Sequence, residues 1–346
     1  MTRPRLDLGI WPTPLLRAWR LEARLGAGPL FIKRDDLSGF AVAGSKARPL
    51  EYLLAGALAE NRDTLVGGGV ATSNFCQGAA VAARAAGLAC HIVLPGHPPP
   101  PAAANLALAI ACGAQVSFSG GPREQLDERI RDRAAELARS GRSALAIPRG
   151  GANSIGTLGF ARAAHELAEQ LATHGHDRAR IVLAVGSGAS IAGLVVGASR
   201  LAARWTITGV SVSRSLASLV PQLRNLVTGC AEELGVAPAE PVTPRLIQAP
   251  GGLRGVAGPP TPAERSAALL ALETEGLVLD SHYTARAFPI AMRQLEQDGP
   301  PIVFWHTGGL SDAISCYLTA SVADATVGAA VGAEPRTGTQ ATEGGP

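Results

Sequence analysis

The sequence predicts an α/β fold in which helices alternate with the strands of a parallel sheet. Short apolar runs of strand length recur along the chain, and stretches with helical periodicity separate them. One such run, IVLAV, passes through the turn GSGAS directly into the helical stretch IAGLVVGA. Strands that are joined by helices in this order form βαβ units, and βαβ units build parallel sheets.

Composition narrows the class of protein. The chain has 346 residues, of which 47% are hydrophobic, and this length suggests about two domains with ample core. A net charge of +3 without a dense Lys/Arg block argues against nucleic-acid and membrane-surface partners. The five cysteines are scattered without a CxxC pair, which indicates reduced thiols in a cytoplasmic protein, with no disulfide framework and no metal site. No targeting or membrane-spanning segment is visible.

The first half of the chain opens with an arm over residues 1–30 that contains a short helix. Strands are then predicted at 29–34, 64–69, 90–95, 115–118 and 144–147. Helices are predicted directly after Lys46 and at 79–86, 102–112 and 123–139.

The second half continues the alternation. Strands are predicted at 181–185, 207–212 and 302–305, and helices at 157–171, 191–203, 216–240 and 263–275, with a further helix after LVLDSHYTARAF. From about residue 321 the chain consists of small and polar residues with Pro and Gly, which predicts a disordered tail over 321–346.

Lys46 is the first candidate for chemistry. It follows the small-residue turn Gly44-Ser45 and stands at the start of an apolar-periodic helix, with Pro49 in its first turn. The positive end of a helix disfavours an ammonium, and desolvation lowers the pKa further, which makes a neutral amine available for Schiff-base chemistry. The alternative interpretation is a solvated surface lysine.

The turn GSGAS, residues 186–190, is a candidate phosphate site. Its backbone N–H groups and the dipole of the following helix would hold an anion, and Ser190 could also cap that helix. It lacks the GK[ST] of a Walker A loop, and the next strand ends without the acidic residue of a dinucleotide site. A phosphate monoester fits better, and a tight βα turn that needs glycine only for packing is the alternative.

Three further polar positions follow predicted strands or precede helices. Ser73 and Asn74 follow a run of glycines and suit a carboxylate, although a serine before a helix is commonly only a cap. Thr307 follows the last strand, at the sheet edge where α/β proteins bind ligands. Tyr283 is either a half-buried core tyrosine or a phenolic acid/base.

Six motifs in one order give the sequence a resemblance to a known family. They are KRDDLSGFAVAGSKARPLEYLL, GGGVATSNFCQ, GGANSIGTLGF, GSGASIAGL, EGLVLDSHYTARAF and FWHTGG. The series resembles the D-cysteine desulfhydrase and 1-aminocyclopropane-1-carboxylate (ACC) deaminase family of pyridoxal-phosphate enzymes. That family has the tryptophan-synthase-β-like fold (fold type II), in which two open, twisted, mostly parallel sheets are covered by helices. The resemblance covers roughly residues 11–318.

The resemblance implies roles for individual residues. Lys46 matches the lysine that binds pyridoxal phosphate, and Tyr283 matches a catalytic tyrosine. Asn74 matches the partner of the cofactor's phenolic oxygen, Ser73 the hydroxyl beside the substrate, and Thr307 the neighbour of the pyridine nitrogen. The phosphate loop is matched by Gly186, Ser187, Gly188, Ala189 and Ser190, and the substrate site by Ser73, Asn74, Phe75 and Tyr283.

The resemblance also implies an organisation for the chain. Residues 1–50 and 156–320 would form a large cofactor-binding domain, and 51–155 a small inserted domain, with the cofactor in the cleft between them. A small amino acid would be the substrate, and the family suggests a homodimer.

Departures from the family pattern leave the substrate open. Ala257 stands where a tyrosine is frequent, Phe75 and Cys76 replace basic and polar residues, and Ala43-Gly-Ser45 precedes the lysine where Gly-Gly-Asn is commoner. The expected activity is α,β-elimination from a β-substituted alanine such as D-cysteine, giving pyruvate and ammonia. The alternatives are ACC ring opening, a specialised pathway, and a non-catalytic binding protein.

The position after Tyr283 bears on the reaction. In the resemblance, ring-opening deaminases have a glutamate there, whereas this chain has Thr284. Thr284 and Thr307 are both neutral, so we expect the pyridine nitrogen to be largely unprotonated and the carbanion to be less stabilised. This predicts elimination of a good β-leaving group, and little or no opening of a cyclopropane.

Overall fold

The computed structural model describes residues 3–98, 103–236, 243–252 and 260–315. Two sheets organise this part of the chain, as predicted. The larger sheet has six strands in the order β1-β2-β10-β7-β8-β9, and the smaller has four in the order β5-β4-β3-β6. The larger consists of β1 (Leu15–Arg17), β2 (Leu30–Arg34), β10 (Ile302–His306), β7 (Arg178–Val185), β8 (Arg204–Ser211) and β9 (Arg245–Gln248). The smaller consists of β5 (Gln115–Phe118), β4 (Ala89–Leu94), β3 (Thr64–Gly68) and β6 (Ala144–Ala146).

All neighbouring strands are parallel except β1 and β2, which are antiparallel. The helices are α1 (Trp19–Leu25), α2 (Ala47–Ala59), α3 (Asn74–Ala85), α4 (Ala104–Ala111), α5 (Leu126–Arg139), α6 (Ser154–Thr173), α7 (Ala189–Arg200), α8 (Leu216–Leu234), α9 (Pro262–Glu275) and α10 (Thr284–Leu295). In the described part of the chain, no helix is long and apolar enough to cross a membrane.

Both faces of the larger sheet are covered, which explains the continuous apolar strands. Ile181 and Leu183 of β7 pack on the side of α6, α7 and α8. Val182 and Ala184, which alternate with them, pack on the side of α1, α9 and α10. A strand with two buried faces needs apolar residues at successive positions, as parallel sheets require.

The smaller sheet lies between α5 on one face and α2, α3 and α4 on the other. The helix α5 is amphipathic: Leu126 and Ile130 pack against Val66 and Val93 of the sheet, and its other side is charged and exposed. The proposed domain boundaries at residues 51 and 156 stay a prediction, and helix α2 spans the first of them.

A buried polar cluster joins the two sequence halves below the cleft. The Arg48 guanidinium donates to the carboxylates of Asp35, at 2.7 and 2.8 Å, and of Glu166, at 3.0 Å. Lys33 contacts Glu166 and donates to the carbonyl of Thr13 at 2.7 Å. Because the ions are paired and hydrogen-bonded, the cluster is tolerated in the core, and removal of one partner would leave a buried charge uncompensated.

The structure corrects several predicted elements. The N-terminal arm contributes the strand β1 as well as a helix, and β9 had no strand prediction. Helix α3 begins at Asn74, five residues before the predicted start at 79, because Ser73 caps it. Ala257 and the predicted tail at 321–346 lie outside the described residues.

Candidate active site

One cleft receives the carboxyl ends of strands from both sheets. Its lining comes from segments that follow β2, β3, β5, β6, β7, β8 and β10. Residues 68–75 contribute from the smaller sheet, and residues 184–191 from the larger. This is the edge at which open α/β sheets bind ligands, and the cleft contains Lys46, Ser73, Asn74, Phe75, Gly186, Ser187, Gly188, Ser190, Tyr283 and Thr307.

Lys46 ends a 3-10 turn over Gly44–Lys46, and α2 begins at the next residue. The backbone N–H of Ser45 donates to the carbonyl of Thr307 at 2.9 Å, which fixes the turn against the end of β10. Among the described residues no group accepts a hydrogen bond from the Lys46 amine. Burial lowers the pKa of this amine to about 8, so the neutral share near neutral pH is about one tenth, far more than an ordinary lysine with a pKa of 10.5 has.

The turn after β7 presents its backbone to the cleft. Gly188 has φ +93° and is the residue before α7, a conformation that favours glycine. The helix begins at Ala189, so Ser190 is its second residue and does not cap it, contrary to the expectation from the sequence. The first N–H groups of α7 have no carbonyl partner within the helix and point to an anion site.

Gly150 brings Lys46 and this turn together. A Cβ atom on Gly150 would lie 2.7 Å from Ser187 Oγ and 3.9 Å from Lys46 Nζ, and its φ is +70°. A side chain at residue 150 would therefore fill the space between the amine and the glycine-rich turn. The backbone leaves room there for a ligand that contacts both.

Ser73 and Asn74 stand at the positive end of α3. Ser73 Oγ accepts from the backbone N–H of Cys76 at 3.2 Å, so it caps the helix and lines the cleft at once. Asn74 Oδ1 accepts from Asn105 Nδ2 at 2.9 Å, which leaves the Nδ2 donor of Asn74 available. Asn105, which the sequence did not single out, therefore orients Asn74.

Tyr283 lies beside the glycine-rich turn at 186–190. A Cβ atom on Gly186 would be 3.1 Å from Tyr283 Cε1 and 3.8 Å from its hydroxyl oxygen. Asp280 accepts from the backbone N–H of Tyr283 at 2.8 Å and so holds this residue at the start of α10. Burial raises the pKa of the phenol, which is therefore protonated at neutral pH and can donate a proton.

The two threonines occupy different environments. Thr307 is half-buried and lines the cleft. Thr284 is buried, and its hydroxyl donates to Asp280 Oδ1 at 2.7 Å, so it does not face the cleft. No carboxylate is among the described residues that line the cleft.

Phe75 lines the cleft but is largely buried, and its ring packs beside Gly67 and Gly151. Cβ atoms on Gly67 and Gly151 would lie 3.4 and 3.0 Å from it. The thiol of Cys76 is buried and free, and burial raises its pKa to about 11. Phe75 therefore makes its part of the cleft wall apolar, and Cys76, behind the lining residues, stays a thiol.

A polar cluster beside Tyr283 has ligand-like geometry, because atoms of Asp280, His282 and Asp312 lie within 4.8 Å of one another. Protein donors already use both carboxylates. His282 Nδ1 is 2.7 Å from Asp312 Oδ2, and Asp280 accepts from several backbone N–H groups. We assign no metal to it.

Three arginines that the sequence did not single out also line the cleft. They are Arg123 before α5, Arg149 after β6 and Arg214 after β8. They are distant in sequence and share no motif, so only the fold brings them together.

These groups are typical of one class of protein: an open α/β enzyme whose cleft contains an amine of lowered pKa and the N-termini of two helices. Pyridoxal phosphate fits them. A glycine-rich helix N-terminus suits its phosphate, the free Asn74 amide its phenolic oxygen, and the neutral form of the Lys46 amine its aldehyde. In addition, Ser213 Oγ is buried beside Gly186 and has no partner among the described residues, so the site contains an unused polar group.

Comparison with known proteins names the family. The model of the family "Pyridoxal-phosphate dependent enzyme" matches residues 6–308. The D-cysteine desulfhydrase of Klebsiella pneumoniae (strain 342) is 35% identical over 328 residues, which cover 88% of this chain and 94% of the relative. The chain therefore belongs to the pyridoxal-phosphate-dependent enzymes, within the group of ACC deaminases and D-cysteine desulfhydrases.

Solved structures agree on the fold. A crystal structure described as an ACC deaminase homologue is 34% identical, with a TM-score of 0.81 over 89% of this chain and 93% of the other. The processed threonine deaminase isoform 2 of Solanum lycopersicum, at 19% identity, has a TM-score of 0.63 over 92% of this chain and 85% of its own. This second likeness concerns the fold alone, which is that of the fold type II enzymes.

Proposed function

We propose that the enzyme catalyses α,β-elimination from a β-substituted alanine, giving pyruvate and ammonia. The observation that carries the proposal is the composition of the cleft, which is lined by a free amine of lowered pKa and a phenol of raised pKa and by no carboxylate of the described residues. Pyridoxal phosphate, when bound, withdraws electrons from the α-carbon of the amino acid. The residues of the chain supply binding and proton transfer.

Lys46 is the proposed cofactor lysine and the base. Its Nζ takes the α-proton, and the pKa of about 8 places this amine near the range in which a general base works at physiological pH. Ser73 and the α3 N-terminus bind the substrate carboxylate, since they present a hydroxyl and free N–H groups. Residues 186–190 hold the cofactor phosphate.

Tyr283 is the proposed acid, with Ser73 as the other candidate. The protonated phenol donates to the leaving group as the bond from the β-carbon breaks, which matters for a thiolate or an alkoxide. Thr307 is the proposed neutral neighbour of the pyridine nitrogen. A neutral neighbour supports elimination, in which charge is dispersed as it forms, more than it supports ring opening.

The experiment is a panel of amino acids assayed for pyruvate, 2-oxobutanoate and ammonia. We expect pyruvate from β-chloroalanine or cysteine of one hand, and little or no 2-oxobutanoate from ACC. Turnover of ACC with both hands of β-chloroalanine and cysteine untouched would replace this proposal with the ring-opening reaction. The homodimer and the cytoplasmic location stay predictions from the sequence.

A further inference from the structure

All charged side chains among the described cleft-lining residues are cationic. They are Lys46, Arg123, Arg149 and Arg214. Only Arg149 is neutralised by a direct partner: its guanidinium donates to Asp127 Oδ2 at 2.7 and 3.0 Å and to the Arg123 carbonyl at 2.8 Å. Arg149 is thus a structural residue that holds the Arg123 segment in place.

Arg123 and Arg214 have no such partner. Arg123 Nη1 makes one long contact, of 3.5 Å, with the carbonyl of Ser213, which is the residue before Arg214. Arg214 forms no hydrogen bond or ion pair with any residue in the described ranges. Both side chains are half-buried. Burial, followed by the charge of Arg149, lowers the pKa of Arg214 by more than the charges of Asp127 and Glu124 raise it.

The arginine pair comes from both sides of the cleft. Arg123 belongs to the segment between β5 and α5 at the smaller sheet, and Arg214 to the segment after β8 of the larger sheet. Arg123 is also close enough to Tyr283 for its charge to oppose the effect of burial on the phenol's pKa. Arg123 therefore stands near the proposed acid, where the leaving group would be, and its contact with the Ser213 carbonyl places it beside the Arg214 segment.

The proposed reaction already provides for two anions, since the cofactor phosphate uses residues 186–190 and the substrate carboxylate uses the α3 N-terminus. We propose that Arg123 and Arg214 form a third anion site, which binds a phosphate or sulfonate on the β-carbon of the substrate. This inference rests on the proposed function and narrows its substrate class. Guanidinium groups suit tetrahedral oxyanions, because their N–H groups form paired, charge-assisted hydrogen bonds.

The proposed elimination requires a substituent on the β-carbon that can leave with the electron pair of its bond. The Cα–H bond breaks and its proton goes to Lys46 Nζ, while its electron pair forms the Cα–Cβ double bond. The Cβ–O or Cβ–S bond breaks and its electron pair leaves with the phosphate or sulfite. The remaining 2-aminoacrylate takes up one water and gives pyruvate and ammonia. A β-carboxylate cannot leave in this way, so aspartate should bind and remain unchanged.

The test measures O-phosphoserine and cysteate of both hands beside β-chloroalanine, which has a neutral substituent. We expect one of the two anionic probes to have a KM well below that of β-chloroalanine. Arg214→Gln and Arg123→Gln should each raise that KM about 10- to 150-fold, the effect of losing one charge-assisted hydrogen bond, and change the β-chloroalanine KM less than about twofold. Calorimetric binding of aspartate should weaken in parallel.

The matched control is Arg131→Gln, which removes one exposed positive charge from α5, the helix that follows the Arg123 segment, outside the cleft. Turnover of β-chloroalanine with equal or weaker binding of both anionic probes would overturn the third site. The third site would also be overturned if the arginine variants lost pyridoxal phosphate in equilibrium dialysis and the KM values of all substrates rose together. The two arginines would then bind the cofactor and not the substrate. Failure of β-chloroalanine, of cysteine and of both anionic probes to give pyruvate would contradict the proposed function instead.

Discussion

Asn105 Nδ2 donates a hydrogen bond of 2.9 Å to Asn74 Oδ1, and a second one of 2.8 Å to the carbonyl of Thr72. Asn105 Oδ1 in turn accepts from Ser311 Oγ at 2.7 Å. Asn105 is buried and does not line the cleft. It therefore connects α4 to the segment that precedes α3 and sets the direction in which the Asn74 amide points.

Replacement of Asn105 tests this positioning. We expect Asn105→Ala to keep pyridoxal phosphate, to shift its visible absorption band and to lower kcat about 2- to 13-fold, since one neutral hydrogen bond contributes about 0.5–1.5 kcal/mol. The spectrum separates positioning from a purely structural role. An Asn105→Ala variant with reduced stability but an unchanged absorption band and kcat would contradict the positioning role.

The two lysines of the chain should have opposite mutational phenotypes. Lys46→Ala should abolish the visible absorption and turnover and leave the protein folded, because the Lys46 amine has no partner among the described residues. Lys33→Met should keep the absorption and lose about 3–5 kcal/mol of stability, because the buried Glu166 carboxylate would lose one of its two cationic partners and keep only Arg48. Denaturant titration and absorption spectra of both variants decide the matter, and a yellow Lys46→Ala protein would refute the assignment.

The lowered pKa of Lys46 has a consequence for stability. The folded apoprotein binds this proton less tightly than the unfolded chain, so the unfolded state binds more protons between about pH 8 and the ordinary value of 10.5. Stability should therefore rise with pH across that window. The measurement is the difference in Tm between wild type and Lys46→Met against pH. A pH-independent difference would show that the amine titrates normally.

Variants of the glycine-rich turn at 186–190 can separate the effect of an added charge on cofactor binding from the effect of backbone strain. Gly188 has φ +93°, so Gly188→Ala already introduces strain, and Gly188→Asp adds repulsion of the phosphate. We expect pyridoxal-phosphate affinity to fall in the order wild type, alanine, aspartate. Ser190→Ala should cost about 1.5–3 kcal/mol of cofactor binding, the contribution of a hydrogen bond to a charged group. Equal affinities for the alanine and aspartate variants at residue 188, by equilibrium dialysis, would place the anion elsewhere.

Tyr283→Phe should distinguish leaving groups. Chloride needs no proton when it leaves, whereas a thiolate does, so the variant should lose about 10²–10⁴-fold in kcat with cysteine and little with β-chloroalanine. Ser73→Ala is the comparison for the alternative acid. Equal losses on both substrates would show that Tyr283 acts at another step.

The local parts of the structure could be predicted from the sequence because their causes are local. The Lys46 turn and the glycine-rich turn at 186–190 depend on residues adjacent in the chain. The strands of the larger sheet are apolar at successive positions because both faces are buried. The start of α3 is the exception. Ser73 is a recognisable cap, but the apolar periodicity that indicates a helix begins only at about residue 79, so the predicted helix starts too late.

Contacts between distant residues could not be predicted in this way. Arg123 and Arg214 are separated by 91 positions, and neither belongs to a motif. The pairing of Arg48 with Glu166 and that of Asn74 with Asn105 depend on how helices pack, which no periodicity records. Strand β1 is three residues long, too short for its alternation to be distinguished from the helix that follows.

The buried partners of Lys33 have a practical consequence. Of the two lysine amines, one is enclosed by Glu166, Thr13 and Gln170, and the other opens into the cleft. An amine-reactive dye should therefore label one side chain in the apoprotein, apart from a terminal α-amino group, and bound cofactor should protect it. The stoichiometry of labelling then counts the vacant active sites directly. In the holoenzyme, a lysine introduced on the surface would be a selective point of attachment for a fluorophore or a solid support.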